Sequence, residues 1–152
     1  MQGRLEGLQS AAAGGFKAMY AMEKFLADSD VPQGLLHLLK LRVSQINGCG
    51  FCVDMHAREA ATDGESTERI NGVAAFREMP YFTDAERGAL ELAEAATRIA
   101  DNPHGVPDDV WNAARDHYDD SQLAALIMAV AAINAWNRIS VTNRTVAGTF
   151  AR

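Results

Sequence analysis

The chain is short of cysteine, with two residues in 152, and of proline, with four. A pair of cysteines is too few for a disulfide-built scaffold, so the fold must rest on a hydrophobic core. Basic charge is also scarce: 14 Lys and Arg stand against 20 Asp and Glu, a formal charge of −6. That balance argues against the nucleic-acid and anionic-membrane partners that reward clustered cations. No uninterrupted apolar run reaches the roughly 18 residues a membrane span needs. The first residues lack the basic head and apolar middle of a secretory leader, so a cytoplasmic location without membrane attachment is expected. Missing too is any sustained alternation of period two, which removes β-structure and leaves an all-α fold of six or seven helices. With 48% hydrophobic and 22% charged residues, the chain fits one domain over 1–152 with a sizeable core.

What chemistry the chain carries is concentrated in SQINGCGFCVDMH, Ser44 to His56, which holds both cysteines. At about 100° per residue along a helix, Cys52 lies roughly 40° and Cys49 roughly 20° from His56, so a thiol pair and an imidazole share one face. Helical Cβ spacing is wider than a disulfide prefers, and Gly48 and Gly50 beside Cys49 can supply the adjustment. A helix starting near Gly48 also favours thiolate over thiol through its free N–H groups and dipole. In a reducing compartment such a pair is redox-active or metal-binding more often than it is a structural staple.

The run KLRVSQINGCGFCVDMH, Lys40 to His56, resembles the signature of the alkylhydroperoxidase D-type branch of the carboxymuconolactone decarboxylase family. GVPDDVW (Gly105 to Trp111) and AAINAWNR (Ala131 to Arg138) resemble the same branch in the same order, so the likeness covers roughly Leu35 to Arg144. It implies an alkylhydroperoxidase D-like helical fold assembled as a homo-trimer or homo-hexamer. It also implies a thiol peroxidase: Cys52 attacks an organic hydroperoxide, Cys49 resolves the sulfenic acid as a disulfide, and His56 relays a proton. The reductant so implied is an external dithiol, a lipoyl protein or a thioredoxin-like donor, and no cofactor or metal is expected. Two positions depart from the pattern. The glutamate that begins the family's relay, twelve residues before the first cysteine, is His37 here, and the histidine that often precedes the second cysteine is Phe51. A carboxylate fixes the tautomer of His56 and stabilises its cation, whereas a second histidine only orients it.

The rest of the chain supplies the frame. Gln2 to Asp28 has apolar residues near helical spacing, interrupted at Gly14 and Gly15, and reads as one bent helix or two shorter ones. Its methionines and aromatics suit either core and subunit contact or the lining of a pocket. Pro32 starts a helix with Leu35, Leu38, Leu39, Val43 and Ile46 on its buried stripe, ended by Asn47 and Gly48. The dithiol segment follows as a helix to about Ala61, then a turn at Asp63 and Gly64. Ser66 or Thr67 opens the next helix, which Pro80 stops. Thr83 with Glu86 forms a capping box for a helix carrying Glu91 and Glu94. Glu94 reads first as a salt-bridge or rim residue, with orientation of His56 in place of the missing family glutamate as the sharper alternative. Pro107 begins a short helix to about His117, and Asp119 with Gln122 marks the last one, apolar around much of its circumference and therefore buried centrally or between subunits. The resemblance puts Asn137 and Arg138 near the active site or a subunit boundary, and charge alone allows Arg138 to pair with Glu94. Trp111 and Trp136 read as packing residues.

Rival readings stay open on the sequence. One is a cofactor-free decarboxylase that uses His56 and not the thiols. Another is a non-catalytic redox-sensing module. The third is a zinc site built from Cys49, Cys52 and His56, with His37, His104 or His117 as fourth ligand.

Overall fold

A computed structural model describes residues 2–149 of the chain. Among them lie eight α-helices and no strand: α1 (Leu8–Ala11), α2 (Ala13–Ala27), α3 (Gln33–Ile46), α4 (Gly50–Thr62), α5 (Thr67–Gly72), α6 (Asp84–Thr97), α7 (Asp108–Arg115) and α8 (Asp120–Asn143). A 3₁₀ turn, Val73–Ala75, follows α5. The helix beyond the expected seven is the single turn α1. The break falls at Ala12, whose φ of −114° and ψ of 34° leave the helical region, while Gly14 and Gly15 sit inside α2. Both glycines are exposed in the first turn of α2, with nothing within 4 Å of a would-be Cβ, so they weaken the helix there without ending it.

The ends of the helices follow their capping chemistry. Ser66, Thr83 and Asp119 each accept a hydrogen bond from the backbone N–H three residues on, and the last two complete reciprocal capping boxes with Glu86 and Gln122. Pro32 and Pro107 stand at N-caps, where a missing N–H costs nothing.

At the centre, α3 packs against α4, α6 and α8. Leu36 and Leu41 join Leu35, Leu38, Leu39 and Val43 in the core, so the helix is enclosed all round, wider than the expected stripe. Polar residues in so enclosed a helix need partners. Arg42 reaches Glu94 on α6 at 3.2 Å, and Ser44 Oγ donates to the carbonyl of Lys40. By length and composition α8 is apolar enough to cross a membrane. It runs instead against α2, α3, α4 and α6, with Leu126, Ala129 and Ile133 fully buried. Gly88 lets α6 approach α7 closely: a Cβ there would lie 3.1 Å from the carbonyl oxygen of Ala113. The frame therefore sets the C-terminus of α3, the start of α4 and the second half of α8 side by side.

Candidate active site

The site begins where α3 ends. Gly48, at φ 67°, turns the chain, and the N–H of Cys49 donates to the carbonyl of Ser44 at 3.0 Å. Behind this turn lies a buried amide cluster: Asn137 on α8 donates to Ser44 Oγ at 3.0 Å and accepts from Asn47 Nδ2 at 2.8 Å. Asn137 thereby locks the C-terminus of α3 to α8 behind Cys49. The helix carrying the dithiol starts at Gly50, two residues later than expected, so Cys49 is not within it. Cys49 is the N-cap, with φ −84° and ψ 91°, and its Sγ accepts from the N–H of Cys52 at 3.3 Å. The extended backbone at Cys49 brings the sulfurs within bonding reach: Cys49 and Cys52 form a disulfide, with Cα atoms 5.4 Å apart. Each cysteine is 1% exposed.

One turn further along α4, His56 is 4% exposed. Its Nδ1 lies 2.8 Å from Glu59 Oε2, while the buried Nε2 has no hydrogen-bond partner. A carboxylate beside Nδ1 selects the tautomer with hydrogen on that nitrogen and leaves the lone pair on Nε2. Burial holds the pKa of His56 below the ordinary imidazole value, against the upward pull of Glu59. The ring is therefore neutral at pH 7, the form that can accept a proton.

Glu59 is the residue that sequence reasoning missed. The same Oε2 also lies 3.3 Å from Nδ1 of His37 on α3, whose Nε2 meets Asp63 Oδ2 at 2.9 Å. Burial pushes the Glu59 carboxyl upward, but its interactions with His37 and His56 together outweigh that and bring its pKa to about 2. His37 therefore reaches His56 through Glu59, their ring centres 6.2 Å apart. A signal was available in His-x-x-Glu, since residues three apart share a helix face.

Glu94 does not orient His56; it takes the ion-pair role that its sequence reading puts first. It lies on the α6 side of α3 among three guanidinium groups, with Arg42 at 3.2 Å, Arg77 at 3.0 Å and Arg98 at 3.4 Å. Burial raises the Glu94 carboxyl, and Arg77 and Arg42 more than offset it. Nor does Arg138 pair with Glu94: its guanidinium donates to the carbonyl and side-chain oxygens of Asn134, both at 3.0 Å. It borders a separate apolar cleft with Ile99, Trp111 and Ile127.

Cys52, His56, Glu59, His37 and Lys40 all line a cavity of about 340 Å³. Tyr20, Leu26, Phe51, Met55 and Trp136 give it an apolar wall. Among the methionines and aromatics of the first segment, Met22 packs against the core and Tyr20 lines the cavity. Trp136 packs on Phe16 and Tyr20, and its indole N–H donates to Glu23 at 2.9 Å, which also pairs with Lys40. The zinc site drawn on both thiolates is not formed, because the disulfide takes both sulfurs. Neither His104, in the loop after α6, nor His117, after α7, borders the cavity. The donor atoms of His37, His56 and Glu59, by contrast, lie within 4.8 Å of one another.

Comparison with known proteins adds the following. The family model for the carboxymuconolactone decarboxylase family matches residues 12–95. The uncharacterized protein YdfG of Bacillus subtilis is 41% identical over 127 residues, 84% of this chain and 85% of that protein. The alkyl hydroperoxide reductase AhpD of Rhodopseudomonas palustris is 36% identical over 73 residues, 47% of this chain but only 40% of that protein. A crystal structure of a protein of unknown function from Agrobacterium tumefaciens superposes with a TM-score of 0.90 at 38% identity, covering 97% of this chain and 99% of that one.

Proposed function

The chain belongs to the carboxymuconolactone decarboxylase family, and on that premise we propose that it is a thiol peroxidase that reduces organic hydroperoxides. The observation that carries this reading is the Cys49–Cys52 disulfide at the N-terminus of α4, on a cavity shared with His56, whose Nε2 is free.

In the reduced enzyme, His56 Nε2 accepts the thiol proton of Cys52, and Glu59 steadies the resulting imidazolium through Nδ1–H. The thiolate attacks the terminal oxygen of R–O–O–H, and the O–O bond breaks. Cys52 becomes a sulfenic acid, and the leaving alkoxide takes the proton from His56 to depart as the alcohol. Cys49 then attacks the Cys52 sulfur, forming the disulfide and releasing water. An external dithiol, of the lipoyl or thioredoxin-like kind, closes the cycle by exchange, becoming a disulfide as the two thiols return. The N–H groups of the first turn of α4 favour the sulfur anion at each stage. The apolar wall suits a hydroperoxide with a hydrocarbon substituent better than a small polar peroxide.

The test is to reduce the protein, add one equivalent of an organic hydroperoxide, and follow thiols together with intact mass. Wild type is expected to lose both thiols and two hydrogens, and a stable sulfenic acid is expected only in Cys49→Ser. Thiols that disappear no faster than those of a free cysteine, in wild type and variants alike, would overturn the reading.

A further inference from the structure

We propose that His37, His56 and Glu59 form a three-ligand site for a divalent first-row transition-metal ion, zinc above all, with its fourth position open to the cavity. The site uses no sulfur and goes beyond the peroxidase reading.

The argument starts from the lone pairs. His37 Nε2 lies 2.9 Å from Asp63 Oδ2, which places the ring hydrogen there and leaves Nδ1 bare. That Nδ1 is buried, makes no hydrogen bond and faces Glu59 Oε2 at 3.3 Å. A lone pair and a carboxylate so opposed repel unless a second ring proton or a metal cation lies between them, and the two compete for that place. The third donor, His56 Nδ1, is 2.8 Å from the same oxygen. Ligands about 2.1 Å from a tetrahedral zinc are about 3.4 Å apart; the two pairs that involve Glu59 are near that spacing, and the two imidazoles, whose donor atoms lie within 4.8 Å, close the remaining distance by small side-chain rotations. Two imidazoles and one carboxylate make a donor set suited to zinc, and an open fourth position is the mark of a site that binds an outside molecule. Asp63 supplies the outer carboxylate that orients a ligating histidine. All three ligands border the cavity, so a water or an anionic ligand can complete the shell from there. Two of the ligands stand three apart on α4, and the third comes from the packed neighbour α3, which makes the site part of the folded frame.

The consequence for the neighbouring sulfur is direct. An imidazole bound through Nδ1 keeps its hydrogen on Nε2 and cannot accept a proton from Cys52. The ion and the relay therefore compete for one ring.

The test uses tag-free, chelator-treated full-length protein in the Cys49–Cys52 disulfide form, so that no thiolate can ligate, and no peroxide. Calorimetric titration with Zn²⁺ should show one ion per chain. Co²⁺ should give the visible d–d bands of a four-coordinate nitrogen and oxygen site, with no thiolate charge-transfer band. Affinity should fall at least tenfold in His37→Ala and Glu59→Gln and about tenfold in Asp63→Asn, and stay unchanged in Glu94→Gln. His37→Gln backs up His37→Ala should the latter lose helical circular dichroism, and the wild-type Co²⁺ spectrum needs no variant. Absence of binding to the oxidised wild type, or full affinity in the folded His37 variants, overturns the proposal. Neither result depends on whether peroxide oxidises the thiols.

Discussion

Glu59 holds two imidazoles on one carboxylate oxygen, His56 from its own helix and His37 from α3. At this scale the chemistry turns on charge as much as shape. Glu59→Gln keeps an acceptor for Nδ1–H but removes the negative charge that steadies the imidazolium. A hydrogen bond to a charged group exceeds a neutral one by about 1.4 kcal/mol, so thiol loss on adding hydroperoxide should slow about tenfold. Glu94→Gln should leave that rate unchanged, because Glu94 belongs to Arg42, Arg77 and Arg98. Rapid-mixing thiol titration decides: a slowed Glu94→Gln beside an unaffected Glu59→Gln would reverse the assignment. The dithiol and His56 were legible in the sequence, because their spacing is local. The sequence marks His37 as a departure from the family pattern and as an orienting or zinc-ligating candidate, but not its contact with Glu59, which exists only once α3 lies on α4.

Among the elements, α6 shows how a cap and an ion pair share one side chain. Glu86 completes the capping box with Thr83 and pairs with Arg69 on α5. Burial raises its carboxyl, but Arg69 and the Thr83 N–H outweigh that, so the folded-state pKa lies below the ordinary 4.5. A depressed carboxylate pKa contributes stability that is full above the unfolded value and is lost as pH falls through the folded one. Glu86→Gln preserves the cap, since glutamine serves at that position, and removes only the charge. It should cost about 1 kcal/mol at pH 7, with the difference from wild type shrinking as pH falls below 4.5. Urea unfolding at pH 7 and pH 3.5 measures both ends, and an equal deficit at the two would refute the charge argument. Helix ends of this kind were foreseen at Ser66, Thr83, Pro107 and Asp119 because caps are local chemistry. The break at Ala12 was not, because neither composition nor periodicity marks it.

On the scale of the whole molecule, a single chain leaves large apolar side chains in water. Ile127 on α8 is 47% exposed and Ile99 after α6 57%, and both border the apolar cleft that ends at Arg138. We predict that this face joins copies of the chain, so sedimentation should give a mass that is a multiple of 16.4 kDa and Ile127→Glu should shift it toward one chain. A wild-type monomer would remove the expectation of a trimer or hexamer. The sequence by itself determined the helical class, the dithiol with its histidine one turn on, and most helix ends. Each of these rests on interactions between residues within about four positions, which the helical period fixes in advance. Tertiary structure alone decided the rest: that Glu94 turns to α3's Arg42, that Arg138 stays with Asn134, that Asn137 braces the turn behind Cys49, and that His37 meets His56 across Glu59. Those pairings depend on the rotation and crossing of packed helices, which the summed core of α3, α4, α6 and α8 settles and no local spacing encodes.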